Sequence, residues 1–489
     1  MSTNHTPAPS SPSVEPNEPY SIFDTRQKRL IISIVTTAAT FSGFASNIYF
    51  PALPAIAEDL DVSAELVNLT VTSYLVFQAL APSVWGPVSD VRGRRVAYGC
   101  TLAVFLGACV GLAETKCYAT LVALRCLQSA GSASTIAIGS GVISDITTPE
   151  ERGGYMGVFQ AGLLVPVAVG PVVGGALAGS LGWRSIFWFL AIYCGVFLSF
   201  LVMLLPETLR SVVGNGSRVS LSLIAGYPLC LYQRNTKVGW SVRNESSEPL
   251  LAKTVDVVGP LRILFSRDAA PIMIFLAVYY AVWQMSITAM SSLFRSQYDL
   301  SDMHVGLTFI ANGVGSMIGT LVTGKILDAD YRRAKAKYEA ADEAENSVLT
   351  STSHQGFPIE KARLRLIPVF SLLQCISIAV FGWTINFPRH VHIAVPIIST
   401  FVTGWTAVST QSLVMTYLID VFPDRSAAAS ASLNLARCLL AAGGTSFVMP
   451  MVNDIGVGWA FTVCVAMQLA ALLGAGVQWK FAAKWRCEA

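Results

Sequence analysis

The chain has 489 residues, of which 53% are hydrophobic and only 13% charged. A soluble domain carries about 25% charged residues, so a shortfall this deep over this length excludes an ordinary water-facing surface. The net charge of +3 further excludes a polyanion-binding composition and a charged disordered chain.

The first 29 residues are rich in Ser, Pro and Asn and hold no apolar run, which predicts a disordered tail (1–29) without a cleaved signal peptide. Apolar stretches long enough to cross about 30 Å of hydrocarbon follow at 30–52, 67–89, 96–114, 118–144, 155–180 and 184–205. A mixed polar segment, 206–269, separates them from six more at 270–294, 304–327, 366–385, 391–419, 427–451 and 457–480. These runs are too long and too uniformly apolar for barrel strands. The expected fold class is therefore an all-α membrane protein with twelve transmembrane helices, six in 30–205 and six in 270–482. A charged, Ala-rich loop with partial helical character, 328–365, interrupts the second half, and 483–489 forms a short tail.

Basic residues set the orientation. With the N-terminus inside, the inner segments collect the Arg26–Arg29 and Arg92–Arg95 clusters, Arg152, eight Lys/Arg of the central segment, eight between residues 325 and 365, Arg425 and the C-terminal basic residues. The outer segments hold only Lys116, Arg184, Arg295 and Arg389. Both termini are thus expected in the cytoplasm. Sequons at Asn4, Asn215 and Asn244 then fall inside, leaving Asn68 as the one plausible glycan acceptor.

Several local patterns carry chemistry. Asn47 to Pro54 reads N-I-Y-F-P-A-L-P and closes the first span. Gly86, Asp90, Gly93, Arg94 and Arg95 crowd the tight inner connection between spans 2 and 3. There Asp90 can pair with arginines of the turn or cap a neighbouring helix. Arg125 lies inside span 4, followed by Gln128 and Gly131, and a charge at membrane depth is a functional-site hypothesis by default. Span 4 ends at Asp145, ahead of Pro149 and Arg152; span 10 ends at Asp420, ahead of Pro423 and Arg425. That correspondence points to a two-fold repeat with a site between the halves. In span 5, Gly162, Pro166, Gly170 and Gly174 recur every fourth residue, with Pro171 beside them, a face suited to close backbone approach and a bend. Gly319 to Lys325 imitates a phosphate-binding loop, but residue 326 is Ile and the stretch ends a span, so it reads as helix packing. Arg437 lies about ten residues into span 11, roughly 15 Å deep, with Asn434 on its face.

The 86–95 segment resembles the G-x-x-x-D-x-x-G-R-R/K signature of the major facilitator superfamily, which implies a conformational latch at Gly86, Asp90, Gly93 and Arg94. The G-P-V-V-G-G run of span 5 is similar to that family's antiporter motif, which implies export at Gly162, Pro166, Gly170, Pro171 and Gly174. Arg125 and Gln128 look like its R-x-x-Q motif, with Gly131 two places later than in the family pattern. The 47–54 segment, the surroundings of Asp420 and the Asn434/Arg437 pair resemble the fungal drug:proton antiporters, within them the quinidine-resistance and dityrosine-exporter branch. The resemblance implies two pseudo-symmetric six-helix bundles and a monomeric secondary transporter in the plasma or vacuolar membrane. It would export a drug, toxin or secondary metabolite by proton antiport with alternating access. A proton-coupled uptake symporter for a nutrient or organic acid is the alternative.

No acidic residue falls near the middle of a span. The proton carrier is therefore sought at Asp145 or Asp420, or in a pair between Glu114 and Arg125. Two arginines in the spans without an interior carboxylate disfavour organic cations and suit neutral, zwitterionic or anionic substrates. Polar candidates for the cavity are Asn47, Gln160, Tyr280, Trp283, Gln284, Asn312 and Gln411, although helix packing explains any one of them as well. With no catalytic set, metal-ligand spacing or nucleotide-binding domain, the chain is expected to need no cofactor or metal, to act on no nucleic acid and not to be an enzyme.

Overall fold

A computed structural model describes residues 20–218, 227–236, 259–346, 360, 363–422 and 426–488, and twelve long helices account for most of them. The first half contains α1 (Thr25–Asn47), α2 (Ala64–Arg92), α3 (Arg94–Ala113), α4 (Tyr118–Ser132 with Ser134–Ile146), α5 (Pro149–Gly162 with Val165–Leu181) and α6 (Arg184–Leu204). The second contains α7 (Ala270–Tyr298), α8 (Asp302–Asn346), α9 (Ile367–Asn386), α10 (Ala394–Val421), α11 (Ser426–Ile455) and α12 (Val457–Glu488). Pro423 and Arg425 lie outside the described residues.

Eleven of these helices are long and apolar enough to cross a membrane. The remaining one, α10, is diluted by hydroxyls. Ser399, Thr400, Thr403, Thr406, Thr410, Ser412 and Thr416 each donate to a carbonyl three or four residues earlier in the same helix. These hydroxyls are satisfied within the helix, as apolar surroundings require.

Two boundaries differ from the sequence expectation. Helix α1 begins at Thr25 rather than at residue 30, because Asp24 and Gln27 form a reciprocal capping box. Residues 20–24, just ahead of it, are packed: Ile22 and Phe23 are buried, and the Phe23 ring meets Tyr232 of the central segment edge-on at 5.8 Å; residues 1–19 of the expected tail lie outside the described residues. Helix α8 does not stop at Asp328 but runs on to Asn346, since the Ala-rich charged stretch contains no breaker.

The halves meet along two seams, α5 against α8 and α2 against α11. We call the end where α2 turns into α3 the near end, and the end where α1 closes the far end. At the far end the halves are tied together. Arg295 pairs with Glu58 at 2.9 Å, Asn453 donates to Glu65 at 2.7 Å, and the Phe50 and Phe309 rings stack at 6.2 Å. A Cβ on Gly306 would stand 2.6 Å from the Pro171 carbonyl oxygen, and one on Gly175 would stand 2.6 Å from that of Asp302. At the near end, Gly86, Gly154, Gly157 and Gly324 have open space where a Cβ would point. These contacts close the seam at the far end, and the near-end glycines are not packed against the other half.

Candidate functional site

At the near end the α2–α3 turn is organised around Arg94. Its Nε lies 3.1 Å from Asp145 at the end of α4, and its Nη1 reaches Asp90 and the Ser89 hydroxyl. Gly141 of α4 makes room, since a Cβ there would sit 2.8 Å from the guanidinium carbon. Gly93 has φ +106°, a backbone that only glycine adopts freely. It turns the first amides of α3 onto Glu207, whose carboxylate accepts from Arg94 N at 2.9 Å and Arg95 N at 3.2 Å. Glu207 is buried and also accepts from Thr208 N and Leu209 N, so one carboxylate caps α3 and closes the end of α6. The second half carries a counterpart: Arg363, ahead of α9, holds Asp420 of α10 at 2.7 Å.

Helix α5 presents two packed faces. Gly162, Pro166, Gly170 and Gly174 lie against Thr36, Gly43, Asn47 and Ile48 of α1 and its continuation, within their own half. Ala168, Pro171 and Gly175 meet Gly313, Gly306 and Asp302 of α8, across the seam. The helix breaks between Gly162 and Val165, where Pro166 occupies the first turn of the outer segment. The four-residue repeat therefore fixes α5 to its bundle, and the offset face meets the other half.

The two arginines inside the spans have different surroundings. Arg125 is 1% exposed, its guanidinium 4.1 Å from the Tyr49 ring centroid and 4.4 Å from that of Tyr74. Its Nη1 donates to the Ala45 carbonyl at 3.1 Å and to Gln128 Oε1 at 2.6 Å. All four partners belong to the first half. Glu114 takes no part; it caps α3 at the surface and is exposed, so the expected Glu114–Arg125 pair is not formed. Arg437 is half-buried, with Tyr280 at 4.8 Å, Gln411 Oε1 at 2.9 Å and Asn434 Oδ1 at 3.0 Å. Asn434 donates in turn to the Gln78 carbonyl across the α2–α11 seam at 3.3 Å.

Of the polar candidates, the structure brings Tyr280, Gln284, Gln411 and Asn434 together around Arg437, with Gln284 donating to the Tyr280 hydroxyl at 3.1 Å. Trp283 and Asn312 form a separate buried pair at 3.1 Å. Asn47 bonds to the Gly43 carbonyl of its own helix, and Gln160 is exposed on the near-end part of α5. Asn68 is 1% exposed, so it cannot accept a glycan in this fold.

Residues 35–445 match the family described as the Major Facilitator Superfamily. The chain belongs to that superfamily. As a member of the major facilitator superfamily it is a multi-pass membrane transporter and not an enzyme. It is 37% identical over 487 residues to citrate exporter 1 of Aspergillus niger, covering 98% of this chain and 91% of that protein. It is 35% identical over 459 residues to the MFS antiporter QDR2 of Candida albicans, covering 93% and 89%. These relatives agree with the fungal drug:proton antiporter branch that the motifs resemble. Among solved structures, a partially occluded, inward-open form of the xylose transporter XylE from E. coli superposes with a TM-score of 0.63 at 15% identity. That match covers 94% of this chain and 98% of XylE, and supports the fold.

Sequence reasoning missed Tyr49, Tyr74, Glu207 and Arg363. Tyr49 sat inside the quoted 47–54 segment, but nothing local marks an aromatic as the partner of an arginine on another helix. Glu207 follows Pro206 at the end of an apolar run, a weak sign of a carboxylate held at a helix end.

Proposed function

We propose that this superfamily member exports a small organic molecule across the plasma membrane by alternating access, driven by protons moving the opposite way. The near end, which carries the basic clusters and both termini, faces the cytoplasm, following the positive-inside rule, and the chain works as a monomer. The observation that carries this reading is the set of contacts tying the two halves together at the far end, with near-end glycines that are not packed against the other half. With the near end cytoplasmic, that arrangement is the state in which a cytosolic substrate loads. The relatives named as an exporter and an antiporter support the direction.

Asp145 and Asp420 are the proposed proton carriers. Each ends a corresponding helix and is held by one arginine, Arg94 or Arg363, in this state. A latch that opens when the halves rock would release these carboxylates to take up a proton. Reconstitution of the full chain in sealed vesicles with an imposed pH gradient tests the reading. Substrate should move against the proton flow and acidification should follow it. Faster movement when protons and substrate travel together would make it an uptake symporter instead.

A further inference from the structure

Resting on the transport reading above, we infer that Arg437 is the anion anchor of the transport site, that Arg125 is a structural pin, and that the substrate is a small organic carboxylate. Both residues are arginines inside membrane helices, yet only one is built to receive a ligand. The Arg125 guanidinium is sandwiched between two tyrosine rings, its Nη1 donates to Ala45 O and Gln128 Oε1, and its Nε is buried without a hydrogen-bond partner. With both faces covered and 1% exposure, nothing outside the first bundle can touch it. Cation–π contacts and two neutral acceptors hold this charge inside the first bundle.

Arg437 differs in its faces and its exposure. Tyr280 lies within cation–π range of the guanidinium, and the side chains that meet its edge are the neutral amides of Gln411 and Asn434. Among the described residues no carboxylate lies within ion-pair distance of it. Its Nε and Nη2 donate to Asn434 Oδ1 and its Nη1 to Gln411 Oε1, so neutral amide oxygens hold its edge. It remains partly exposed, although it lies deep in α11 beside the α2–α11 seam. A charge at this depth is tolerated only when it faces a partner or a wet cavity. Amide oxygens orient the fork but carry no net charge, so the full compensating charge is left to a ligand. A carboxylate meets a guanidinium in a planar, two-point hydrogen bond.

The nearest acids do not compete for this role. Asp420 at the end of α10 is held by Arg363, and Asp145 by Arg94. An ammonium ligand would meet Arg437 with no carboxylate to offset the repulsion, so cations are excluded by the same geometry. Gln284, bonded to the Tyr280 hydroxyl, extends the polar lining beside the fork. The Asn434 contact to the Gln78 carbonyl connects the anchor to the opposite half, so occupancy at Arg437 is felt at the seam.

The test uses the full chain, purified and reconstituted in vesicles, with a panel of mono-, di- and tricarboxylates, their neutral methyl amides, and alkylammonium ions of matched size. Carboxylates should be carried and should raise the melting temperature, while amides and ammonium ions should do neither. R437Q should weaken carboxylate transport at least about tenfold, the effect of losing one charge-assisted pair, with an unchanged melting temperature of the ligand-free protein. R437K should restore part of it. R125K should instead lower the ligand-free melting temperature. Carriage of ammonium ions or amides as good as that of carboxylates, or R437Q with wild-type carboxylate affinity, overturns the anchor and leaves the transporter standing. Carriage of no compound under either sign of the gradient overturns the transport reading and the anchor together.

Discussion

Arg125 in the first half and Arg437 in the second share a side chain and a membrane setting, and the fold uses them for opposite ends. Arg125 is enclosed by Tyr49, Tyr74, Gln128 and Ala45 O, all from its own bundle. Arg437 is held only by neutral groups and keeps part of its surface open beside a seam. The difference teaches that a buried charge in a membrane helix is not by itself a site. What matters is whether its faces are already covered. A transporter of this kind needs one bundle stiff enough to rock as a body, and Arg125 welds α1, α2 and α4 into such a body. It also needs a group whose interactions are incomplete until substrate arrives.

The largest effect should come from breaking the enclosed arginine. R125L removes two desolvated cation–π contacts, each worth about 2 kcal/mol, and leaves Gln128 Oε1 without its donor. Little folded protein should survive detergent extraction and size-exclusion chromatography. Full recovery of R125L in folded form would erase the contrast with Arg437.

Glycines on the two faces of α5 sharpen the same division between bundle and seam. A Cβ at Gly174 would run into the Ile48 carbonyl inside the first half, whereas one at Gly313 of α8 would run into the Ala168 backbone across the seam. G174V should therefore lower the yield and melting temperature of the protein. G313V should leave a folded protein that does not transport, because the far end can no longer close. Transport by G313V at the wild-type rate would show that the seam contact is dispensable.

The inner-end acids give a smaller, more selective effect. D145N and D420N each remove one ion pair, with Arg94 or Arg363, and Arg94 still contacts Asp90 in the first case. Each variant should stay folded while the ratio of protons moved to substrate moved falls, measured with a pH-sensitive dye in the vesicle lumen. Unchanged coupling in both variants would remove these residues as carriers.

The smallest effect is expected at the far end. The Glu58 side chain is 76% exposed in its pair with Arg295, so the pair contributes at most about 1 kcal/mol. E58Q should shift the seam only slightly towards opening at that end, read as faster labelling of a cysteine placed there. The shift should vanish at high salt, because exposed charges are screened.

Much of this was legible in the sequence because membrane physics acts locally. A hydrocarbon slab demands long apolar runs, and backbone hydrogen bonding within it demands helices. Each of the twelve apolar stretches accordingly lies largely within one of the helices α1–α12. The four-residue repeat of Gly162, Pro166, Gly170 and Gly174 was equally readable, since a helical period assigns residues to a face without reference to anything else. The Gly93 turn was visible from its neighbours, but the carboxylate it serves was not, because Glu207 lies more than a hundred residues further along the chain.

The sequence by itself determined that this chain is a twelve-helix transporter, which side the basic residues favour, and that its spans contain two arginines and no central acid. Only the tertiary structure decided which arginine is sealed and which is open. Burial and stacking are properties of the neighbours a side chain acquires from other helices, and Tyr49, Tyr74, Tyr280 and Gln411 all reach their arginines from separate segments of the chain. A local pattern can place a charge in the membrane, but it takes the packing of the whole bundle to say whether that charge already has its partners.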